Sequence, residues 1–262
     1  MISDYDIENI IKIVLDAGKA VLEIYNSGDF EIELKSDNSP LTKADKISNE
    51  IIVSGLPAIE PAIPILSEEG KEIPFEERRA WKRFWLIDPL DGTKEFIKKN
   101  GEFTINIALI EDRLPIWGVI FVPVTGELYW GGVKTGSCKK DNRESENIKL
   151  HVSSKNKDDY LTVIQSRSNS GKEEEQFYSK FKVKNKISKG SSLKMCMVAE
   201  GKADLYFRGG PTWEWDTGAG HAILRGAGGY FVNKDKSELI YNKKVLKNFG
   251  FIVSAFELGN RV

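Results

Sequence analysis

The sequence predicts an α+β layer joined to an α/β layer, and three observations carry that reading. The first half opens with amphipathic helical spacing and then runs through consecutive strand patterns, whereas the second half alternates strand and helix. A polar stretch at residues 139–157 separates the two regimes. We therefore expect an N-terminal α+β domain over residues 1–147 and a C-terminal α/β domain over 148–262.

The elements follow from local pattern. Residues 6–25 place Ile7, Ile10, Ile11, Val14, Leu15, Val21 and Leu22 at helical intervals, and Asn26-Ser27-Gly28 ends that helix. Residues 31–35 alternate as a strand and 36–40 form a polar loop. Thr42-Lys43-Ala44-Asp45 matches a capping box, and residues 42–56 read as the helix it opens. A short buried strand at 63–66 runs into Ser67-Glu68-Glu69-Gly70. Residues 83–87 form an apolar strand. Beyond it Pro89 restricts the residue before it and Gly92 relaxes the backbone, so a tight turn is expected, then a short helix at 93–99. Strand patterns at 104–110, 116–122 and 127–131 predict an antiparallel meander. In the second half, strands at 161–165, 182–187 and 203–207 alternate with helices at 173–181 and 193–200. A helix at 216–225 with glycines nearby and strands at 229–232 and 251–254 complete the chain.

Composition excludes several classes of function. The chain has 262 residues, 40% hydrophobic and 29% charged, with a formal net charge of −1. That balance describes an ordinary globular protein without global attraction to nucleic acid or anionic membrane. Residues 149–194 are locally basic, which fits either a solvated lysine face or an anionic ligand. The N-terminus lacks a secretory pattern, and no apolar run suits a membrane span. Cys138 and Cys196 form no metal or redox spacing, and a reducing cytoplasm is the expected location. With two histidines, His151 and His221, zinc clusters and Ser-His-Asp chemistry are poorly supported.

Oxygen chemistry remains. Asp88 and Asp91 lie three residues apart around the Leu90 carbonyl, a donor density that suits Mg²⁺ rather than zinc. The N–H groups opening the helix at 93–99 would add an anion site beside the cation. The bland alternative is a surface turn whose Asp and Gly serve turn hydrogen bonds. Further carboxylates stand at element ends: Glu68 and Glu69 after a strand, Asp45 in a first helical turn and Asp216 at a helix start. Each has a plainer role as a solvated group, a cap or a complement to the helix dipole. Gly190-Ser191-Ser192 before a helix is either an N-cap or a phosphate cradle.

Asp88-Pro89-Leu90-Asp91-Gly92-Thr93, the upstream Glu68-Glu69 and Trp215-Asp216 opening a glycine-rich helix together resemble the inositol monophosphatase superfamily of metal-dependent phosphatases. Within it, residues 35–45, Asp91 to Ile97, Asn100 to Ile110 and Gly190-Ser191-Ser192-Leu193-Lys194 are similar to CysQ-type 3'(2'),5'-bisphosphate nucleotidases. Lys94-Glu95-Phe96 marks that subgroup. The resemblance spans residues 5–256 with its motifs in order, and it implies the layered α-β-α-β-α sandwich of the sugar phosphatase type.

Residue by residue, the resemblance implies one metal position made by Glu68, Asp88 and the Leu90 carbonyl, and another by Asp88, Asp91 and Asp216. It implies two or three Mg²⁺ ions and lithium sensitivity. Thr93 matches the threonine beside the attacking water and Asp45 the aspartate that orients it, with Glu68 a rival partner for the proton. Asp91, Gly92, Thr93, Gly190, Ser191, Ser192, Lys194 and Asp216 match substrate-contacting positions. Two residues depart from the family pattern: Gly218 stands where alanine is common, and Glu214 replaces a more neutral residue before Trp215.

The implied reaction is in-line hydrolysis of the 3'-phosphate of adenosine 3',5'-bisphosphate, and of the sulfated nucleotide, within sulfur assimilation and nucleotide recycling. The expected partner is thus a small phosphorylated nucleotide, with no nucleic acid and no integral membrane association, in a monomer or homodimer. The resemblance leaves room for peripheral contact with the inner membrane, for which no basic amphipathic helix argues. An inositol or sugar phosphate is the rival substrate. A nucleotide- or metal-sensing binding module is the non-enzymatic rival, which loss of an acidic ligand would favour, and every family carboxylate is present.

Overall fold

The protein is described from a computed structural model covering residues 3–35, 39–141, 146–167 and 171–259. Residues 36–38 of the expected polar loop and of the 35–45 motif lie outside these, as do 142–145 of the polar stretch between the halves. Helix α1 (Asp4–Ser27) starts on a reciprocal capping box between Ser3 and Asp6 and stops at Gly28, which adopts the left-handed backbone a glycine tolerates. Strands β1 (Glu33–Leu34) and β2 (Pro40–Leu41) form a short antiparallel ladder, so the strand expected at 31–35 is reduced to two residues. Helix α2 (Lys43–Gly55) begins at Thr42 with the expected capping box and runs into a single 3-10 turn, Leu56–Ala58.

Seven strands make the first sheet. They are β3 (Ile65–Ser67), β4 (Arg83–Asp91), β5 (Thr104–Glu111), β6 (Leu114–Val122), β7 (Glu127–Gly132), β8 (Gly136–Lys140) and β9 (Ile148–Lys149), paired in chain order. The β3–β4 pair is parallel; the rest form the expected antiparallel meander. Two short helices flank β4: α3 (Phe75–Arg78), which the sequence did not signal, and α4 (Thr93–Ile97).

The remaining chain forms α5 (Lys172–Tyr178), α6 (Leu193–Ala199) and α7 (Trp215–Gly226) with strands β10 (Leu161–Ser166), β11 (Val183–Lys189), β12 (Leu205–Arg208), β13 (Thr212–Trp213), β14 (Tyr230–Asn233), β15 (Lys247–Asn248) and β16 (Phe251–Ser254). Five of them form a sheet in the order β11-β10-β12-β16-β14, parallel across its first three strands and antiparallel beyond. β13 and β15 pair separately.

Alternation along the strands builds the layers. Trp85 and Ile87 of β4 face one core with Ile10 and Val14 of α1 and Ile52 of α2, while Phe84 and Leu86 face a second core with α6 and α7. Tyr206 of β12 enters that second core from the other sheet, and Leu205 and Phe207 face a third core against Tyr178 of α5. The order is therefore helix, sheet, helix, sheet, helix: the layered α-β-α-β-α sandwich. Gly118 of β6 lets α7 lie close on the first sheet, because a Cβ there would come within 2.7 Å of the Ala219 backbone.

One local expectation is corrected. Asp88 to Asp91 do not form a turn leaving the strand, because β4 continues through Asp91. Asp88 opposes Asn106 and Asp91 opposes Thr104, so one extra residue on β4 makes a bulge. Pro89, with no N–H to give the ladder, belongs at such a break.

Candidate active site

The β4 bulge aims its carboxylates because one face of α2 grips the segments around it. Asp45, Ser48 and Asn49 lie three and four residues apart, on one side of the helix. Asp45 Oδ1 accepts a hydrogen bond from Thr93 Oγ1 at 3.2 Å, Ser48 Oγ donates to the Pro89 carbonyl at 2.7 Å, and Asn49 Oδ1 accepts from Ser67 Oγ at 2.7 Å. Asp45 also fulfils the capping box: its Oδ2 accepts from Thr42 N at 2.7 Å and Thr42 Oγ1 at 2.6 Å. One carboxylate therefore serves helix and site, one oxygen for each. Gly92, with φ of 95°, carries the chain from the bulge into α4, which is a single turn and shorter than expected.

Glu68 follows β3, Asp88 sits in the bulge and Asp216 in the first turn of α7, and one ligand oxygen from each lies within 4.8 Å of the others. Asp88 is 1% exposed. Burial, reinforced by Glu68, Asp91 and Asp216, pushes its carboxyl well above the ordinary range. Asp216 is pushed up in the same way, by burial and then by Asp91 and Glu68, although Trp213 N–H donates to its Oδ2 at 2.8 Å. Glu68 is raised by burial against the opposition of Lys35, whose Nζ lies 2.7 Å from Glu68 Oε1 and 2.5 Å from Glu69 Oε1. Hard oxygen donors crowded at this density fit a divalent cation such as Mg²⁺, whose charge would offset their mutual repulsion.

Asp91 stands apart from that triad. Its Oδ2 accepts from Ser191 Oγ at 2.6 Å and Ser192 Oγ at 2.8 Å. The two serines thus direct their hydroxyls at the same Asp91 oxygen. Ser192 occupies the N-cap position of α6 without a side-chain cap bond, so the plain capping reading does not describe it. Lys194 is buried, and desolvation lowers its pKa; its Nζ donates to the Ser191 carbonyl at 2.5 Å. Leu90 presents its carbonyl 3.5 Å from Thr93 Oγ1.

Glu68, Asp88, Leu90, Asp91, Thr93, Ser191, Ser192, Lys194 and Asp216 line one cavity of about 350 Å³, which Gly190 and Gly92 also border, whereas Asp45 lies behind Thr93 and does not line it. Sequence reading missed several of its walls, Arg208, Tyr206 and Trp213, while Glu95 of the subgroup marker also lines it. Arg208 did carry a signal, a cation ending an apolar strand before Gly209-Gly210-Pro211. Lys35 lay inside a quoted motif but was given no role, because its partners Glu68 and Glu69 come from a distant segment. Glu214, noted only as a departure, is fully buried and accepts from the backbone N–H of Asn242 at 2.6 Å and of Lys243 at 3.0 Å. It thereby fastens the start of α7, and so Asp216, to the 242–243 loop. Among the described residues no helix is long and apolar enough to cross a membrane.

A model of the inositol monophosphatase family matches residues 4–260. The 3'(2'),5'-bisphosphate nucleotidase CysQ of Escherichia coli (strain K12) is 39% identical over 252 residues, spanning 95% of this chain and 100% of that protein. The CysQ nucleotidase of Buchnera aphidicola is 41% identical over 260 residues, spanning 95% and 93%. The crystal structure of CysQ from Bacteroides thetaiotaomicron, a bacterial member of the same family, matches with a TM-score of 0.83 at 43% identity, covering 95% of this chain and 97% of that one.

Proposed function

The chain belongs to the inositol monophosphatase family, and from that premise we propose that it is a 3'(2'),5'-bisphosphate nucleotidase. It removes the 3'-phosphate of adenosine 3',5'-bisphosphate, giving AMP and phosphate, and acts likewise on 3'-phosphoadenylyl sulfate. The observation that carries the reading is the convergence of Glu68, Asp88 and Asp216 in a cavity that also presents the basic side chains of Lys94, Lys194 and Arg208. A substrate with two phosphates can engage both the carboxylate centre and a separate cation; a monophosphate ester has no second phosphate for the latter.

Glu68, Asp88 and the Leu90 carbonyl would hold one Mg²⁺, and Asp88, Asp91 and Asp216 another. When bound, such ions neutralise phosphoryl oxygens and make a water more acidic. The chain supplies the proton path. Thr93 donates its hydroxyl hydrogen to Asp45, leaving its oxygen free to accept from a water on the cavity side. Burial raises the Asp45 carboxyl, which suits a proton acceptor at the end of that path. Burial raises the Glu68 carboxyl as well, against the opposition of the Lys35 ammonium 2.7 Å away, and its place in this scheme is as a ligand. Water attacks phosphorus directly, so no nucleophilic side chain is required.

Phosphate release from adenosine 3',5'-bisphosphate, inositol 1-phosphate and fructose 1,6-bisphosphate, with and without Mg²⁺, tests the reading. The nucleotide should be preferred and Mg²⁺ required. Asp88→Asn should lower kcat by about 10³-fold, the loss of several kcal/mol of transition-state stabilisation, while remaining folded. Preference for the inositol ester would replace the substrate, and wild-type turnover by the folded variant would remove the metal mechanism.

A further inference from the structure

The motif from Asn100 to Ile110 carries part of the family resemblance, yet its residues show no chemistry in the sequence alone. In the structure its polar residues meet the 190–192 loop in step. Glu102, Thr104 and Asn106 are spaced at the strand period of two around the start of β5, and so face one side. Glu102 Oε2 accepts from Gly190 N at 2.8 Å, Thr104 Oγ1 lies 2.6 Å from Ser191 Oγ, and Asn106 Nδ2 donates to Ser192 Oγ at 2.9 Å. Two alternate residues of β5 and Glu102 just before it thus hold three consecutive residues of a loop 86 to 88 positions away.

The hydrogen bonds have a direction. A hydroxyl has one proton to give, and Ser191 gives its own to Asp91, at 2.6 Å from Oδ2 and 3.1 Å from the backbone oxygen. Thr104 must then donate to Ser191. Ser192 accepts from Asn106 and donates to Asp91 Oδ2 at 2.8 Å, with the Asp216 carbonyl at 3.1 Å as its alternative acceptor. Both chains run from β5 through a serine to Asp91, each donor polarising the next. Ser191 holds a left-handed backbone (φ 51°) that favours glycine and needs outside support. That support includes Glu102, whose carboxylate also takes two hydrogen bonds from Arg167, at 2.7 and 2.8 Å, and one from Lys189 at 3.2 Å. Neither Glu102, Thr104 nor Asn106 lines the cavity.

We propose that Glu102, Thr104 and Asn106 are positioning residues: together they fix the 190–192 loop and, through the hydroxyls of Ser191 and Ser192, aim the Asp91 carboxylate at the metal centre. The inference rests on Asp91 being a metal ligand. A brace with no such purpose would affect stability alone, whereas a positioning role moves metal affinity and KM in a chain that remains folded.

The decisive comparison uses the full chain with Thr104→Val, which keeps shape and loses the donor, Thr104→Ser, which keeps the donor, and Glu102→Gln. Mg²⁺ affinity by calorimetry, KM and kcat for adenosine 3',5'-bisphosphate, and the metal-free melting midpoint are measured for each. Thr104→Val should weaken Mg²⁺ binding and raise KM by about tenfold, as loss of a partner that orients a metal ligand does. Thr104→Ser should restore most of that loss, and Glu102→Gln should move both quantities in the direction of Thr104→Val. Unchanged Mg²⁺ affinity in folded Thr104→Val, or failure of Thr104→Ser to restore it, overturns the proposal; should Thr104→Val not fold, unchanged affinity in Glu102→Gln does so. Because calorimetry uses Mg²⁺ alone, a wild-type chain that binds the ion but hydrolyses none of the esters defeats the nucleotidase reading and leaves this one standing.

Discussion

Asp45 shows how much one side chain can be asked to do: Oδ2 closes a helix cap and Oδ1 holds Thr93. Its two readings in the sequence, cap or catalytic partner, were never exclusive, because a carboxylate has two oxygens. His221 is the opposite case, a polar residue held neutral by its surroundings. It is 1% exposed, stacks near Phe231, and contacts Tyr241 Oη through Nδ1 at 3.1 Å. Tyr241 Oη also lies 3.2 Å from Thr217 Oγ1, so the imidazole sits in a short polar chain inside the core. Burial, with Arg225 adding to it, pulls the His221 pKa down from 6.5 to about 3. Below pH 6.5 the unfolded chain takes up a proton that the fold refuses, so this residue withdraws stability as pH falls towards 3. The raised carboxyls of Asp88 and Asp216 act in the other sense, gaining stability as pH falls, so the wild-type slope alone mixes the two. Urea unfolding of the wild type and of His221→Gln at pH 7.5 and 5.5 separates them. Acidification should cost the wild type about 1.4 kcal/mol more than the variant. Parallel losses would show that His221 takes up its proton in the fold as it does in the unfolded chain.

Elements were legible where period and burial agree. The alternation in β4, β5 and β6 follows from strands packed on both faces, and the spacing in α1 from one face against the sheet. The short strands β8, β9, β13 and β15 escaped because their order comes from a neighbour's ladder and not from their own pattern. Glycine in α7 reads as a weakness by helix propensity alone. Yet Gly218 is where Leu86 and Ala108 approach, at 3.0 and 3.1 Å from a Cβ built there, so contact with the first sheet compensates for propensity. The same closeness makes β6 intolerant at Gly118. Gly118→Ala would drive a methyl into the Ala219 backbone and should cost about 1–3 kcal/mol. Thermal unfolding should show a midpoint lower by about 2–10 °C, and an unchanged midpoint would mean that α7 can move off the sheet.

The whole molecule places its carboxylates by sandwiching α7 between two sheets. Asp88 belongs to the first sheet and Glu68 follows its strand β3, while Asp216 opens the helix packed against it, and Ser191 and Ser192 arrive on the loop before α6. A cation bound there joins segments that unfolding separates, and the unfolded chain has no such cluster to offer. Mg²⁺ at 100 times its dissociation constant should therefore stabilise the fold by about 2.7 kcal/mol, raising the melting midpoint by about 5–10 °C. Asp88→Asn should lose most of that rise, and EDTA should reverse it. Equal shifts in wild type and variant would place the ion elsewhere.

By itself the sequence pointed to the chemistry: acidic residues at element ends, Asp88 and Asp91 around an expected turn and too few histidines for rival mechanisms favour oxygen ligands, and the family resemblance implies the metal they would hold. Strand alternation and helix spacing, written locally, made the elements and the α+β and α/β regimes legible, while the order of the layers followed from the resemblance. Tertiary structure alone decided which polar groups serve which. Lys35 meets Glu68, Arg208 enters the cavity, and Glu102, Thr104 and Asn106 hold the 190–192 loop only because chain segments far apart in sequence become neighbours. A hydrogen bond depends on distance and direction in space, and spacing along the chain carries neither for partners 86 residues apart.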